Sequence, residues 1–348
     1  MEALSGTQIC LRMEENFPEG GTTEEKLKFL VKYAILAPSV RNSQPWNFKI
    51  EKGSIQLSLD RSRARRTSDP ELRELIISCG AALEHLRVAA RRFGLDLIID
   101  SFPKDAPELL AVVRLDGKKP PDEMDTIMFY AIHKWLNVPQ PFRQKRVPNA
   151  LLDEMHEMAK SDQTWLHLAR QKSSRDTLAG LVAEGDMALK KVDENRKKLA
   201  ASAAHSKRRR LDKGAGLKMD VAQGAGHIAS YIQSFLSRPP SESKVIAKTK
   251  QALAESEPVL AILGTRDNTP AAWLAAGQAL AAVLLRGLAV GVRASFLNQA
   301  VTMPELRSRL VSDLGLSGHP QVLFRIGFPD SAVSSRPLAP EAVTEEFI

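Results

Sequence analysis

One plan occurs twice along this chain, and that repetition limits what it can fold into. Gly80, Leu83 and Gly94 have counterparts in Gly277, Leu280 and Gly291, each pair 197 positions apart. In both copies a small-residue-rich amphipathic helix (Ser78–Phe93, Ala271–Val290) ends at a glycine, the residue best suited to positive φ at a helix C-terminus. A β-like run follows, Leu97–Ile99 in one copy and Ala294–Leu297 in the other. The next strands correspond as well, Ala106–Leu115 with His319–Ile326, but Pro107 and Pro320 are 213 apart, which leaves 16 extra residues in the second copy. The extra stretch reads as a helix, Pro304–Leu314, opened by proline and closed by Gly315. Upstream, each copy has an amphipathic helix before a tryptophan: Glu24–Leu36 before Trp46, and Asn149–Lys160 before Trp165. Three anchors sharing one offset outweigh chance likeness between two apolar helices. The expectation is α+β, with two pseudo-symmetric lobes in one chain: an extension 1–22, a first lobe 23–120 and a second lobe 121–348, the latter with a lid insertion at about 185–226. The glycines and alanines of the two long helices suit a close crossing at the lobe interface.

Within the first copy, Ala37-Pro38-Ser39-Val40-Arg41-Asn42-Ser43-Gln44-Pro45-Trp46 sets hydrogen-bonding side chains between two prolines. Ser39, Asn42 and Gln44 offer donors and acceptors, Arg41 a fixed charge, and the prolines restrict the backbone. That chemistry suits a planar ligand with polar edges. The stretch resembles the A-P-S-x-x-N-x-Q-P-W loop of nitroreductase-type flavoproteins. Further segments resembling the family are Asp60–Arg63, Arg73–Leu83, Ala271–Leu280, Ala294–Gln299 and Gly318–Gln321, so the likeness runs from about Glu24 to Pro337. The family's homodimer holds FMN between subunits. A nitroreductase-like fold with both lobes in one chain would imitate that dimer, as in the fused branch called Acg-like.

The resemblance implies a set of cofactor-binding residues. Pro38, Ser39, Asn42 and Gln44 would serve an FMN held mainly by lobe 2, with Arg41 reaching the ring edge or a substrate anion. Leu297, Asn298 and Gln299 match the positions whose backbone lies near flavin N5 and O4. The family's basic turn, R-R-x-[ST]-x-R-x-P-F, corresponds to Lys134–Phe142, where Lys134 and Asn137 keep polar chemistry but Trp135 and Pro139 replace arginines. Arginine–phosphate pairs are bidentate and strong, so the phosphate clamp is partly degraded. Ser334 and Arg336 match the family's phosphate-binding tail, and Lys248 and Lys250 are weaker candidates. Lobe 1 has no basic turn, and lobe 2 has Ser161–Trp165 in place of the proline-flanked loop, so one FMN per chain is expected. The implied activity is flavin-dependent oxidoreduction: NAD(P)H gives hydride to flavin N5, and electrons pass to a small electron-poor acceptor. The alternatives are a flavin-binding protein without turnover, for storage or sensing, and a flavin-free scaffold or polyanion-binding protein. No catalytic side chain can be assigned from the sequence.

Charge and composition narrow the partners. The chain has 348 residues and a net charge of +8. Nine basic residues between Asn195 and Lys218, opposed only by Asp212, account for all of that excess. The segment reads as a solvated helix end and loop, or as an electrostatic lid over an anion. Interleaved aromatics, which nucleic-acid grooves use for stacking, are missing from it. Seven histidines show no metal-ligand spacing, and Cys10 and Cys79 are too few for a disulfide framework. Cys79 at a helix start reads as a packing residue. No uninterrupted apolar run approaches the roughly 20 residues of a membrane helix, and Met1–Phe17 does not read as a secretory signal. The expectation is a cytoplasmic protein, monomer or homodimer, without a membrane partner.

Overall fold

The computed structural model describes residues 16–66, 71–106, 108–134, 142–188, 248, 250–251, 253 and 258–330; for 64–66 it describes the backbone alone. Helix α1 (Thr23–Ala34) starts in a capping box. The Thr22 hydroxyl accepts from the Glu25 amide at 3.2 Å, and the Glu25 carboxylate accepts from the Thr22 amide at 2.7 Å. Two of the four orphan donors at the helix start are thereby satisfied. Strands β1 (Trp46–Glu51) and β2 (Ser54–Leu59) form a hairpin about Lys52-Gly53, both at positive φ (51° and 70°), as a two-residue primed turn requires. Helix α2 (Arg73–Arg92), β3 (Leu95–Ser101) and β4 (Leu109–Lys118) complete the first copy.

Two element starts differ by three residues or more from the sequence expectation. Helix α2 begins five residues before Ser78, because left-handed Leu72 starts it with no capping side chain to signal the place. Strand β4 begins three residues late, because the Leu109 amide closes a turn onto the Ala106 carbonyl at 3.0 Å.

The second copy comprises α4 (Asn149–Ala159), β5 (Thr164–Leu168), β6 (Val259–Thr265), α6 (Pro270–Ala289), β7 (Arg293–Phe296) and β8 (His319–Gly327). Helix α3 (Glu123–Ile132), with its own Asp122/Asp125 capping box, joins the copies. The sheets are antiparallel throughout and share one strand order, β1-β2-β4-β3 and β5-β6-β8-β7. Helices α2 and α6 cross in the core at Gly80 and Gly277. A Cβ added to Gly80 would lie 2.9 Å from the Gly277 Cα and overlap the Leu274 carbonyl; one added to Gly277 would lie 2.8 Å from the Gly80 Cα and overlap the Ile77 carbonyl. Only glycine allows the two backbones to touch. Helices α3 and α4 also pack on α6. By length and composition α6 could cross a membrane, but it is a core helix and largely buried.

All of these elements belong to one compact unit, residues 1–169, 257–297 and 315–348. The other unit, 170–256 with 298–314, consists of the two stretches by which the second copy exceeds the first. One stands where the first copy has the Lys52-Gly53 turn, the other between β7 and β8. Among its described residues are helix α5 (172–188), the helical turn Gln299–Thr302 and helix α7 (Pro304–Leu314). Arg309 on α7 pairs with Glu184 on α5 at 2.7 Å, joining the two inserts. The expected lid at about 185–226 lies outside the described residues beyond 188, as does the whole basic segment 195–218.

Candidate functional site

The proline-flanked loop is held to α2 at both ends. The Val40 amide donates to the Ser78 hydroxyl at 3.1 Å, and the buried Cys79 thiol meets the Pro45 carbonyl at 3.7 Å. Inside the loop the Ser39 hydroxyl accepts from the Gln44 amide at 3.0 Å, so Ser39 braces the loop. From outside, Arg63 donates to the Ser43 carbonyl at 3.2 Å while paired with Asp60 at 2.9 Å. This bracing holds an unfavourable backbone: Arg41, Asn42 and Gln44 are left-handed, with φ of 51°, 55° and 46°. Left-handed conformations of side-chain-bearing residues each cost on the order of 1 kcal/mol or more and persist where the surroundings over-determine them, often at ligand sites. Arg41 and Asn42 are exposed, while Pro38, Ser39 and Gln44 are half-buried. In the second copy the equivalent connection is a tight turn closed on itself: the Ser161 amide donates to the Thr164 carbonyl at 3.1 Å, and their hydroxyls meet at 2.8 Å.

Lys134 lies just past the end of α3, exposed, and its carbonyl accepts from the Arg293 guanidinium. Asn137, Ser334 and Arg336 lie outside the described residues. Leu297 directly follows β7 and donates its amide to the Leu323 carbonyl at 2.8 Å, so that N–H continues the sheet. In the second unit, the Asn298 carbonyl accepts from the Val301 and Thr302 amides, each at 2.9 Å. The Gln299 Oε1 is buried with no hydrogen-bond partner among the described residues.

Two arginines missing from the sequence expectation lie on the β7–β8 ladder, and one of them, Arg293, reaches the Lys134 carbonyl. Arg293 on β7 and Arg325 on β8 are half-buried, and neither forms an ion pair among the described residues. Burial pulls both guanidinium pKa values below their usual range. Arg325 lies over the Phe142 ring at 4.9 Å. A sequence signal for it existed: Arg325 is the one charge in the apolar run Val322–Ile326.

Elsewhere the ionisable groups serve packing. Arg73, buried, donates to the Gln321 carbonyl at 2.5 Å, and Gln321 donates to Thr265 Oγ1 at 2.7 Å. Burial pushes the Cys79 thiol pKa up, so it stays protonated, and pushes His85 down to about 3 and His133 to about 4, so both imidazoles are neutral.

No family model matches the chain. Along nearly its whole length it is similar to two Mycobacterium tuberculosis proteins. It is 27% identical over 334 residues to one named "Putative NAD(P)H nitroreductase Rv3131", covering 94% of this chain and 90% of that one. To "Putative NAD(P)H nitroreductase acg" it is 25% identical over 342 residues, covering 94% and 97%. Similarity at this level over nearly the whole chain supports membership of the nitroreductase superfamily. Its α+β fold of antiparallel sheets and crossing helices is nitroreductase-like. A shorter stretch of 92 residues is 42% identical to "Uncharacterized protein Rv3127" of the same organism, covering 25% of this chain and 27% of that one.

Proposed function

We propose that this protein is an FMN-dependent oxidoreductase that takes hydride from NAD(P)H and reduces a small electron-poor acceptor, with one FMN per chain. The observation that carries the reading is the loop at 38–45. Three left-handed residues in four positions, braced at both ends, fit a loop shaped for a ligand edge better than one that only connects a helix to a strand. The relatives named NAD(P)H nitroreductases supply the reaction class. The donor set fits the cofactor: Asn42 and Gln44 offer amides to a pyrimidine edge, and Lys134, Arg293 and Arg325 offer charge to a phosphate. The self-closed turn at Ser161–Thr164 supports a single site, since the second copy lacks the loop.

When bound, FMN supplies the redox chemistry, accepting hydride and passing electrons on. The chain's residues have a positioning task. Bracing by Ser39, Ser78 and Arg63 holds the loop before the ligand arrives, which lowers the ordering cost of binding. No acid or base side chain is assigned. The test is the absorption spectrum of freshly purified protein, with released ligand identified by mass, followed by NADH and NADPH oxidation with a quinone or nitroaromatic acceptor. Flavin bands, an FMN mass and acceptor-dependent turnover are expected. Bound FMN without turnover would favour a storage or sensing role, and a colourless protein that refuses added FMN would refute the reading.

A further inference from the structure

We propose that Arg293, backed by Arg325, holds the flavin phosphate in place of the arginines missing from the turn at 134–142. The inference rests on the FMN reading above and assigns the phosphate to two sheet residues, outside the basic turn.

The argument begins with strand register. Arg293 pairs with Gly327 and Ser295 with Arg325 across the antiparallel β7–β8 ladder. Residues directly opposite share a face, as do residues two apart on one strand. Arg293 and Arg325 therefore stand on one face as diagonal neighbours, roughly 7–8 Å apart at the backbone. Two like charges so placed on a half-buried surface repel one another, and no carboxylate among the described residues pairs with either.

Each guanidinium is oriented and, among the described residues, keeps donors to spare. Arg293 gives one N–H to the Lys134 carbonyl, which fixes its head beside the lysine's backbone. Arg325 is laid on the Phe142 ring, and its buried Nε has no hydrogen-bond partner among the described residues. The segment carrying Phe142 is itself tied to the end of β8: the Arg143 amide donates to the Phe328 carbonyl at 2.8 Å and its Nε to the Asp330 carbonyl at 3.2 Å. A planar fork held in place, with free donors and no counter-charge among the described residues, matches a phosphate monoester dianion. From Arg293 to Leu297, where the ring edge is proposed, is four residues of strand, or roughly 13 Å. An extended ribityl phosphate together with the reach of an arginine side chain covers that separation.

Two phosphate monoesters are available to such a site, the 5′-phosphate of FMN and the 2′-phosphate of NADPH, and the experiment distinguishes them. Dissociation constants of the full-length, flavin-stripped protein for FMN and for riboflavin, which lacks the phosphate, would be measured by quenching of flavin fluorescence. Wild type should bind FMN more tightly than riboflavin. Arg293→Gln should weaken FMN by roughly 10- to 100-fold, the range for losing one hydrogen-bonded charge partner, and leave riboflavin as it is in the wild type. Arg293→Lys should recover part of the loss. Retained riboflavin binding shows that the variant is folded. The proposal is overturned by an unchanged FMN constant, by equal losses for both flavins in both variants, or by a loss of NADPH preference over NADH with FMN unaffected. A wild type that binds neither flavin overturns the parent reading, and this one with it. A wild type that binds both equally overturns only this one.

Discussion

Substituting Gly277 by Ala should separate helices α2 and α6 and destabilise the protein by about 2 kcal/mol. Alanine is favoured over glycine in a helix interior by about 1 kcal/mol, so a propensity argument alone predicts stabilisation. At Gly277 the atoms in the way are backbone, the Ile77 carbonyl and the Gly80 Cα, the latter 2.8 Å from the new Cβ. Backbone in a helix crossing cannot rotate aside, so the helices must part. Overpacking of this kind costs roughly 1–3 kcal/mol and sometimes more, and the parted helices also lose close contacts along a dry core. Gly287, on the same helix, provides the control. Its new Cβ would meet the terminal methyl of Met155 at 2.8 Å, with nothing else among the described residues nearer than 3.5 Å. A methionine end can swing away, so Gly287→Ala should fall between neutral and about 1 kcal/mol more stable. The expected gap between the two variants is therefore about 2–3 kcal/mol. At roughly 2–4 °C per kcal/mol for large domains, that is several degrees in Tm. Urea unfolding followed by circular dichroism, with m held common, measures the gap. A Gly277→Ala protein as stable as Gly287→Ala would refute the backbone-contact reasoning.

Acid should destabilise the fold through two neutral, buried imidazoles, His85 at about 3 and His133 at about 4. Both lie below the unfolded value near 6.5, so below that pH the unfolded chain binds more protons and stability falls as pH falls, by up to about 1.4 kcal/mol per pH unit for each histidine. His85→Gln should remove about half of that slope in urea unfolding between pH 7 and 5; an unchanged slope would count against the assignment. Glu84, its carboxyl pushed up mainly by burial, acts in the opposite direction but is common to both proteins. Cys79 should resist an aromatic disulfide reagent in a Cys10→Ser background until urea unfolds the chain, because its thiol is buried and kept protonated; rapid labelling of native protein would contradict this. Asn42→Gly should relieve left-handed strain and raise stability by up to about 1 kcal/mol while weakening FMN binding. A variant less stable than wild type would show that the left-handed backbone there carries no strain.

Much of the fold was legible because its signals are local. Thr22 with Glu25, Pro270 after Thr269, and Gly94 and Gly291 after their helices each mark a helix end within a few residues. The repeated spacing of Gly80 and Gly277 pointed to a matched pair of helices, and the two glycines do meet. The loop at 38–45 was legible as a place of polar density but not as a strained one. Left-handed φ is usually announced by glycine, and here it falls on Arg41, Asn42 and Gln44. Nor could the sequence foretell that Ser39 would turn inward to brace its own loop.

The sequence by itself placed the long helices and several strands to within about five residues, and pointed to two copies of one order of elements. Caps, turn residues and apolar periodicity act over one or two turns of chain, so they can be read without knowing the fold. Only the tertiary structure decided which charges stand together. Arg293 reaches the Lys134 carbonyl across 159 positions, and Arg73 reaches Gln321 across 248. It likewise decided that the two inserts of the second copy form one compact unit. A guanidinium's neighbours are set by strand register and helix crossing, and these arise from the packing of the whole core, not from the residues beside it in sequence.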